Sequence, residues 1–347
     1  MARVAVLGAS GTTGGELVRL LAAHPFFELT FLGAGGSAGS TMAEVHPYLA
    51  GLALADRALR GLDTADIVEA SDLVFSALPH GAGVATILAL VDAGVPVVDL
   101  SGDFRLDADG YPSWYGFVHP APERLPGAVY GLPELFCDAV AGASLVANPG
   151  CFPTPVVLGC APLLSAGLLG PGPIRVDGKT GMSGAGKAVS EATSYTTTEG
   201  SIRPYRLPTH QHTPEMERGL RLATGLDVPV LFAPHLIPAV RGVLTTSYAP
   251  LAAGVTTDML TDVLADAYAG QPFVRVLPPD TMADVKRTTG TNVVELQAVA
   301  DPRTDTAIVI GAIDNLGKGA AGQAIQNANL MTGLSQEAGL PTVAVYP

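Results

Sequence analysis

The segment VAVLGASGTTGGELVRLLAAHP (residues 4–25) restricts the fold more than any other stretch: an apolar run passes through Gly8, Gly11 and Gly14 and straight into a helical pattern. A run apolar on both faces is what a strand buried inside a parallel sheet requires, and a strand feeding a helix returns to its neighbour by a right-handed crossover. The same order repeats. ELTFLGA (28–34), DLVFSALP (72–79), VPVVDLS (95–101) and SLVANPG (144–150) read as strands, and GVATILALVDAG carries apolar residues at helical spacing. The expected class is α/β, with an N-terminal doubly wound, Rossmann-type parallel sheet over residues 1–150.

After Cys151 the texture changes. PVLFAPHLIP, GVLTTSYAPL, TNVVELQAVA and DTAIVIGAID are longer strand candidates, ADPRTDT between the last two is a hairpin turn, and TTDMLTDVLADAYAG is a helix. Strands joined by short turns predict an α+β domain with a mixed or antiparallel sheet over 151–316, the catalytic and oligomerisation domain. The final helical pattern, within 317–347, has small residues suited to close packing and is assigned back to the first domain.

A length of 347 residues suits two domains. The formal net charge of −13 argues against nucleic acid or an anionic membrane as partner, so anionic small molecules require a local basic pocket. The longest apolar run, Pro155 to Leu169, is short of a membrane span and contains Gly159, Pro162 and Gly167. The N-terminus lacks a secretory pattern, and three cysteines without a C-x-x-C spacing indicate neither a disulfide framework nor a metal cage. A cytoplasmic protein is expected.

The loop GASGTTGGE spaces Gly8, Gly11 and Gly14 as G-x-x-G-x-x-G, which departs from the G-x-G-x-x-G dinucleotide fingerprint. A glycine-rich turn that binds nothing is the bland alternative. Its position between a strand and a helix, with the hydroxyls of Ser10, Thr12 and Thr13, favours a pyrophosphate held by backbone amides at a helix N-terminus. The second strand runs into FLGAGGSAGST, with no acidic residue before Glu44. An NAD site places a carboxylate there; Ser37, Ser40 and Thr41 instead offer hydrogen bonds to a 2′-phosphate, although no arginine is local. The expected cofactor is NADP.

In ANPGCFPTP (147–155) a proline two residues after Cys151 suits the first turn of a helix, whose free amides stabilise a thiolate. Cys137 and Cys160 read as small buried hydrophobes. THQHTPE (209–215) supplies His210 and His212, which in an extended segment point the same way; the pair also suits a metal. Thr213 and Glu215 read as helix caps. His24, His46, His119 and His235 are assigned no chemistry, and His80 is read as structural.

GASGTTGGE, ALPHG, SGDFRL, YGLPEL, NPGCFPT, SGAGK, HQHTPE, PHLIPAVRG and AIDNLGKGAAGQAIQNANLM together resemble the N-acetyl-gamma-glutamyl-phosphate reductases, relatives of aspartate-semialdehyde dehydrogenase, from residue 8 to about residue 331. The resemblance implies NADPH-dependent reduction of an acyl phosphate through a thioester on Cys151, with release of phosphate, in arginine biosynthesis. It implies His212 as acid/base with His210 beside it, roles that are exchangeable at this stage. Ser183, Gly184 and Asn315 are implied at the cofactor, and Arg105, Lys187 and Arg241 at the substrate. Lys187 stands where an arginine is frequent after SGAG, and lysine does not reproduce a bidentate fork. A homo-oligomer, dimer or tetramer, is expected, with no metal. The competing readings are an aspartate-semialdehyde dehydrogenase-like reductase and a non-catalytic NADP-binding redox regulator.

Overall fold

The computed structural model describes residues 1–187 and 190–346. The chain divides into two units, the first comprising Met1–Pro149 with Ala320–Leu340 and the second Gly150–Gly319 with the residues from Pro341.

In the first unit the doubly apolar runs form β1 (Ala2–Leu7), β2 (Phe27–Gly33), β3 (Leu73–Ser76), β4 (Val97–Asp99) and β6 (Leu145–Ala147), joined by a two-residue β5 (Val129–Tyr130). Their order is β2-β1-β3-β4-β6-β5 and every pairing is parallel. One row crosses the sheet at its carboxyl edge, Gly33–Leu7–Ser76–Asp99–Ala147–Tyr130. The loops that follow β1, β3 and β4 therefore open on one edge, where parallel α/β sheets bind ligands.

Crossover helices α1 (Thr12–Leu21), α2 (Thr64–Ala70), α3 (Val84–Asp92) and α4 (Pro133–Ala141) connect these strands, and the C-terminal helix Gly322–Met331 packs against α1, α4 and β4. Ala5, Leu7, Val74, Ile87, Val97 and Phe104 belong to one apolar cluster on the α2–α3 side. The expected helix within 317–347 is shorter than its pattern: a π-helical turn, Gly317–Ala321, precedes it. The last residues pack in the second unit, where Asn292 N–H donates to Pro341 O at 2.8 Å and Arg275 to Thr342 O at 2.6 Å.

The second unit has strands β7 (Ile174–Thr180), β8 (Arg203–Pro204), β9 (Val230–Leu236), β10 (Val243–Pro250), β11 (Val274–Val276), β12 (Val294–Asp301) and β13 (Thr306–Ile313). Their order is β11-β12-β13-β10-β7-β9-β8, mixed because β7–β9 and β11–β12 run parallel. Helices α5 (Pro153–Ser165), α6 (His212–Thr224) and α7 (Thr257–Ala267) lie in this unit, with α5 against β12 and β13.

Helix α5 runs through Pro162, whose ring nitrogen cannot donate to the carbonyl four residues back. That carbonyl, Leu158 O, accepts the hydroxyl of buried Tyr268 at 2.6 Å. The apolar run is thus one continuous helix through Gly159 and Pro162. Among the described residues no helix is long and apolar enough to cross a membrane.

Candidate active site

The first unit supplies the glycine loop. Gly8 sits at φ +80°, and a Cβ there would lie 2.4 Å from Ala77 O, while one on Gly14 would lie 2.1 Å from Gly8 O. No side chain fits these positions, so the turn presents main chain to whatever approaches it. Gly11 N–H donates to Gly8 O at 3.0 Å and Gly11 is the N-cap of α1. Thr12 and Thr13 open that helix, and Ser10, Thr12 and Thr13 are half-buried. The buried imidazole of His46, expected to be idle, sits with Nε2 3.0 Å from Ala9 O and braces the loop.

Beyond β2 the segment 34–40 holds Ser37 and Ser40 and no carboxylate. Open space surrounds Gly35, Gly36 and Gly39. Thr41, expected among the phosphate donors, is instead an N-cap: its Oγ1 accepts Glu44 N–H at 3.2 Å and its own N–H donates to Glu44 at 2.7 Å. Arginines absent from the local sequence arrive from further along. Ala34 N–H donates to Arg60 O and Leu59 N–H to Ser40 O, both at 2.9 Å. Arg57 and Arg60 thereby line a cleft of about 340 Å³ with Thr30, Leu32 and Ala58. A glycine turn closed to side chains and a strand end without a carboxylate fit a dinucleotide carrying a 2′-phosphate.

Arg105 also belongs to the first unit. It is 5 % exposed, and its guanidinium donates to Leu100 O at 2.7 Å. The neighbouring His80 accepts Gly102 N–H at 2.7 Å.

The second unit holds the thiol. Cys151 is half-exposed and lies two residues before Pro153, the first residue of α5. A Cβ on Gly319 would lie 2.8 Å from Cys151 Cβ, so only glycine lets the chain pass behind the cysteine. On its other flank, a Cβ on Gly150 would lie 2.5 Å from His212 Nε2, which places that imidazole against the backbone leading into Cys151.

His210 and His212 do come together, with ring centroids 4.7 Å apart, but not by strand alternation. His212 is the first residue of α6, and its N–H donates to His210 Nδ1 at 3.1 Å. An accepting Nδ1 fixes His210 as a neutral imidazole. Tyr205, Phe152 and Phe232 enclose it, and burial, with the nearby charges of His212 and Arg206, pushes it down to about 2 against the weaker opposing effect of Glu215. That leaves His212 as the acid/base candidate of the pair.

Glu215 corrects the capping expectation. α6 has no side-chain cap, and Glu215, fully buried, accepts Gly150 N–H at 2.7 Å. Asn315, expected at the cofactor, has its amide engaged within this unit: Oδ1 accepts Gly242 N–H at 2.8 Å and Nδ2 donates to Ser183 Oγ at 2.9 Å. Arg241 is held by buried Asp314, with Nε 3.0 Å from Oδ2. Asp314 also accepts Gly290, Leu316 and Gly317 N–H groups. Gly184 and Lys187 are exposed, and the two residues after Lys187 lie outside the described ones.

Of the other cysteines, Cys160 is buried and its thiol is pushed up to about 12. Cys137 is exposed, against the expectation of a buried hydrophobe, because α4 turns that face outward. No three His, Cys, Asp or Glu side chains cluster as a metal site among the described residues.

Residues 3–143 match the family described as semialdehyde dehydrogenase, NAD binding domain, and residues 151–315 match its dimerisation domain. A protein of Desulforudis audaxviator named N-acetyl-gamma-glutamyl-phosphate reductase is 45% identical over 100% of both chains. One of Magnetococcus marinus with the same name is 42% identical over 99% of both. Among solved structures, aspartate semialdehyde dehydrogenase II of Vibrio cholerae, complexed with ASA, aligns with a TM-score of 0.72 at 17% identity, covering 96% of this chain and 98% of that one. Aspartate semialdehyde dehydrogenase of Candida albicans, with NADP, gives 0.70 at 19% identity, with the same coverage. At these identities the two structures speak for the fold alone.

Proposed function

The chain belongs to the N-acetyl-gamma-glutamyl-phosphate reductases of the semialdehyde dehydrogenase family, and from that premise we propose that it reduces N-acetyl-gamma-glutamyl phosphate to N-acetylglutamate 5-semialdehyde, releasing phosphate, in arginine biosynthesis. It is an oxidoreductase whose dinucleotide is NADP. Backbone amides of the loop from Gly8 to Gly14, with Ser10, Thr12 and Thr13, would hold the pyrophosphate, and Ser37 and Ser40 the 2′-phosphate.

The observation that carries the reading is Cys151 itself: a half-exposed sulfur at the entry of α5, with His212 against its preceding residue and Glu215 fixing that residue's N–H. The helix terminus and a histidinium both favour the thiolate. His212 takes the thiol proton. The sulfur attacks the acyl carbonyl, an S–C bond forms, the C–O bond to phosphate breaks, and a thioester remains on Cys151.

NADPH, when bound, supplies the hydride that takes this thioester to the aldehyde level. His212, still protonated, hydrogen-bonds the tetrahedral oxygen. Collapse breaks the S–C bond, and the thiolate and the histidinium are left as they began. Arg105 is assigned to the phosphoryl group, and Arg241, oriented by Asp314, and Lys187 are assigned to the substrate carboxylate. Ser183, Gly184 and Asn315 are assigned to the cofactor, with Asn315 held through Gly242 and Ser183. A homo-oligomer, dimer or tetramer, is supported by the dimerisation-domain match, and a cytoplasmic setting by the free thiols.

The test is the reverse reaction, N-acetylglutamate semialdehyde and phosphate with NADP. Wild type is expected to reduce NADP in a phosphate-dependent way, and Cys151→Ser to bind NADP without turnover. Turnover with aspartate semialdehyde in place of the acetylated substrate would reassign the substrate. Phosphate-independent turnover would remove the acyl phosphate from the scheme.

A further inference from the structure

The loop that carries Arg105 is held by carboxylates for which the reaction itself has no use. Asp99 ends β4 in the central row of the first sheet, between Ser76 and Ala147, on the face where Leu7, Ala147 and Phe104 form the apolar cluster. It is fully buried. Both its oxygens go to Ser101: Oδ2 accepts the hydroxyl at 2.5 Å and Oδ1 the N–H at 3.2 Å. Ser101 Oγ then accepts Asp103 N–H at 3.1 Å. Asp103 Oδ1 accepts Gly81 N–H at 2.7 Å, so the relay crosses to the loop after β3, where His80 accepts Gly102 N–H. Tyr111 closes the frame by donating its hydroxyl to Asp103 O at 2.6 Å.

Arg105 lies two residues beyond Asp103, with its guanidinium turned back onto Leu100 O, the carbonyl between Asp99 and Ser101. Its contact with Leu100 O and the turn through Ser101 and Asp103 thus both lie in the segment that starts at Asp99.

This is a poor way to stabilise a loop. Two carboxylates are withdrawn from water, and Asp103 Oδ2 has no hydrogen-bond partner among the described residues. Burial raises both, Asp99 to about 6, against the opposing effects of Ser101 on each, of Arg105 on each and of His119 on Asp103. Apolar residues of similar volume would pack such a site at least as well, so an ionisable frame points to the placement of a particular group.

We propose that Asp99, acting through Ser101 and Asp103, is the positioning residue that aims the Arg105 guanidinium at the phosphoryl group of the substrate. The proposal rests on the reading of Arg105 as the phosphate-side cation. Asp99→Asn keeps the volume but has one acceptor oxygen for the Ser101 hydroxyl and N–H together, so one of the two bonds that begin the relay is lost in either amide orientation. Ser101→Ala removes the hydroxyl bond without touching a carboxylate. Ser101→Thr keeps a hydroxyl.

The experiment is steady-state kinetics in the phosphate-dependent direction, varying phosphate and NADP separately, on these variants and on Arg105→Ala. Asp99→Asn and Ser101→Ala are each expected to raise KM for phosphate about tenfold or more, with KM for NADP unchanged and kcat within about threefold. Ser101→Thr is expected to restore the wild-type KM. In the Arg105→Ala background, Asp99→Asn is expected to add nothing, because the group it aims is gone.

Three results overturn the proposal. One is a general loss in which kcat and both KM values deteriorate together, as a merely structural role would give. A second is an unchanged phosphate KM in a folded Asp99→Asn and in Ser101→Ala. The third is full additivity with Arg105→Ala. If Arg105→Ala itself leaves the phosphate KM unchanged, the reading of Arg105 fails as well; if it raises that KM while the other variants do not, the relay alone fails. Should Asp99→Asn not fold, Ser101→Ala with its Thr rescue decides.

Discussion

Glu215 accepts the N–H of Gly150 at 2.7 Å, and Gly150 is the residue before Cys151. A fully buried carboxylate from α6 thus fixes the backbone that sets the position of the sulfur. Glu215→Ala leaves a buried N–H without a partner, which costs about 1–3 kcal/mol of stability. It also loosens the sulfur of the proposed nucleophile, and misplacement by about 1 Å lowers rates on the order of a hundredfold. We expect Glu215→Ala to lower kcat by about that factor while NADP affinity, measured by fluorescence titration, stays the same. An unaltered kcat would show that the clamp is dispensable.

The two histidines are expected to separate cleanly. Burial, with the nearby charges of His212 and Arg206, holds His210 neutral down to about 2, and the proposed scheme routes the proton through His212. His212→Ala should lower kcat by roughly 10²–10⁴-fold and remove a limb of the pH–rate profile; His210→Gln should leave the shape of that profile intact. A limb that vanishes in His210→Gln and persists in His212→Ala would exchange their roles.

His210 also sets a sign for stability. Its folded value, about 2, lies below the unfolded value of about 6.5, so the unfolded chain binds more protons between them. Stability from this group is complete above the unfolded value and declines as pH falls through it. Urea midpoints for wild type should therefore drop between pH 7 and pH 5 more steeply than those for His210→Gln. Parallel slopes would mean that His210 takes up its proton equally in both states.

The three thiols should label in a fixed manner. Cys160, buried and pushed up to about 12, is expected not to react with iodoacetamide in the native state, and exposed Cys137 to react at the rate of an ordinary thiol. Cys151 should react fastest and be protected by the acyl phosphate. Peptide mapping after timed labelling checks this; equal rates at Cys137 and Cys151 would favour a non-catalytic NADP-binding regulator.

Tyr268→Phe should destabilise the second unit by about 1–3 kcal/mol, because it leaves Leu158 O, freed by Pro162, buried without a donor. Chemical denaturation measures it. A change within error would show that another donor reaches that carbonyl.

The first sheet was readable because several of its strands, Leu73–Ser76 and Leu145–Ala147 among them, are short runs buried on both faces that alternate with helical patterns. Cys151 was readable because Pro153 marks a helix start. β7 was missed although Arg175, Asp177 and Lys179 alternate with its buried residues as in a strand with one polar face, because Gly178 interrupts the short pattern and Pro171–Pro173 and Gly181 bound it closely. Glu215 looked like a cap because its spacing from the start of α6 is a cap's spacing; only the fold shows Gly150 within its reach. Arg60 reaches the end of β2 from 27 residues beyond Gly33, through a single parallel bridge that no local pattern announces. The amide of Asn315 is likewise engaged by a partner, Gly242, that sequence spacing does not disclose.

The central claim is a covalent bond between Cys151 and the acyl group. Intact-mass spectrometry of the enzyme, quenched in acid after mixing with N-acetyl-gamma-glutamyl phosphate in the absence of NADPH, tests it most directly. The account predicts an added mass of one N-acetylglutamyl group, mapped to Cys151, sensitive to hydroxylamine and absent in Cys151→Ser. Full reductase turnover by Cys151→Ser, or an acyl group mapped to any other residue, would contradict it.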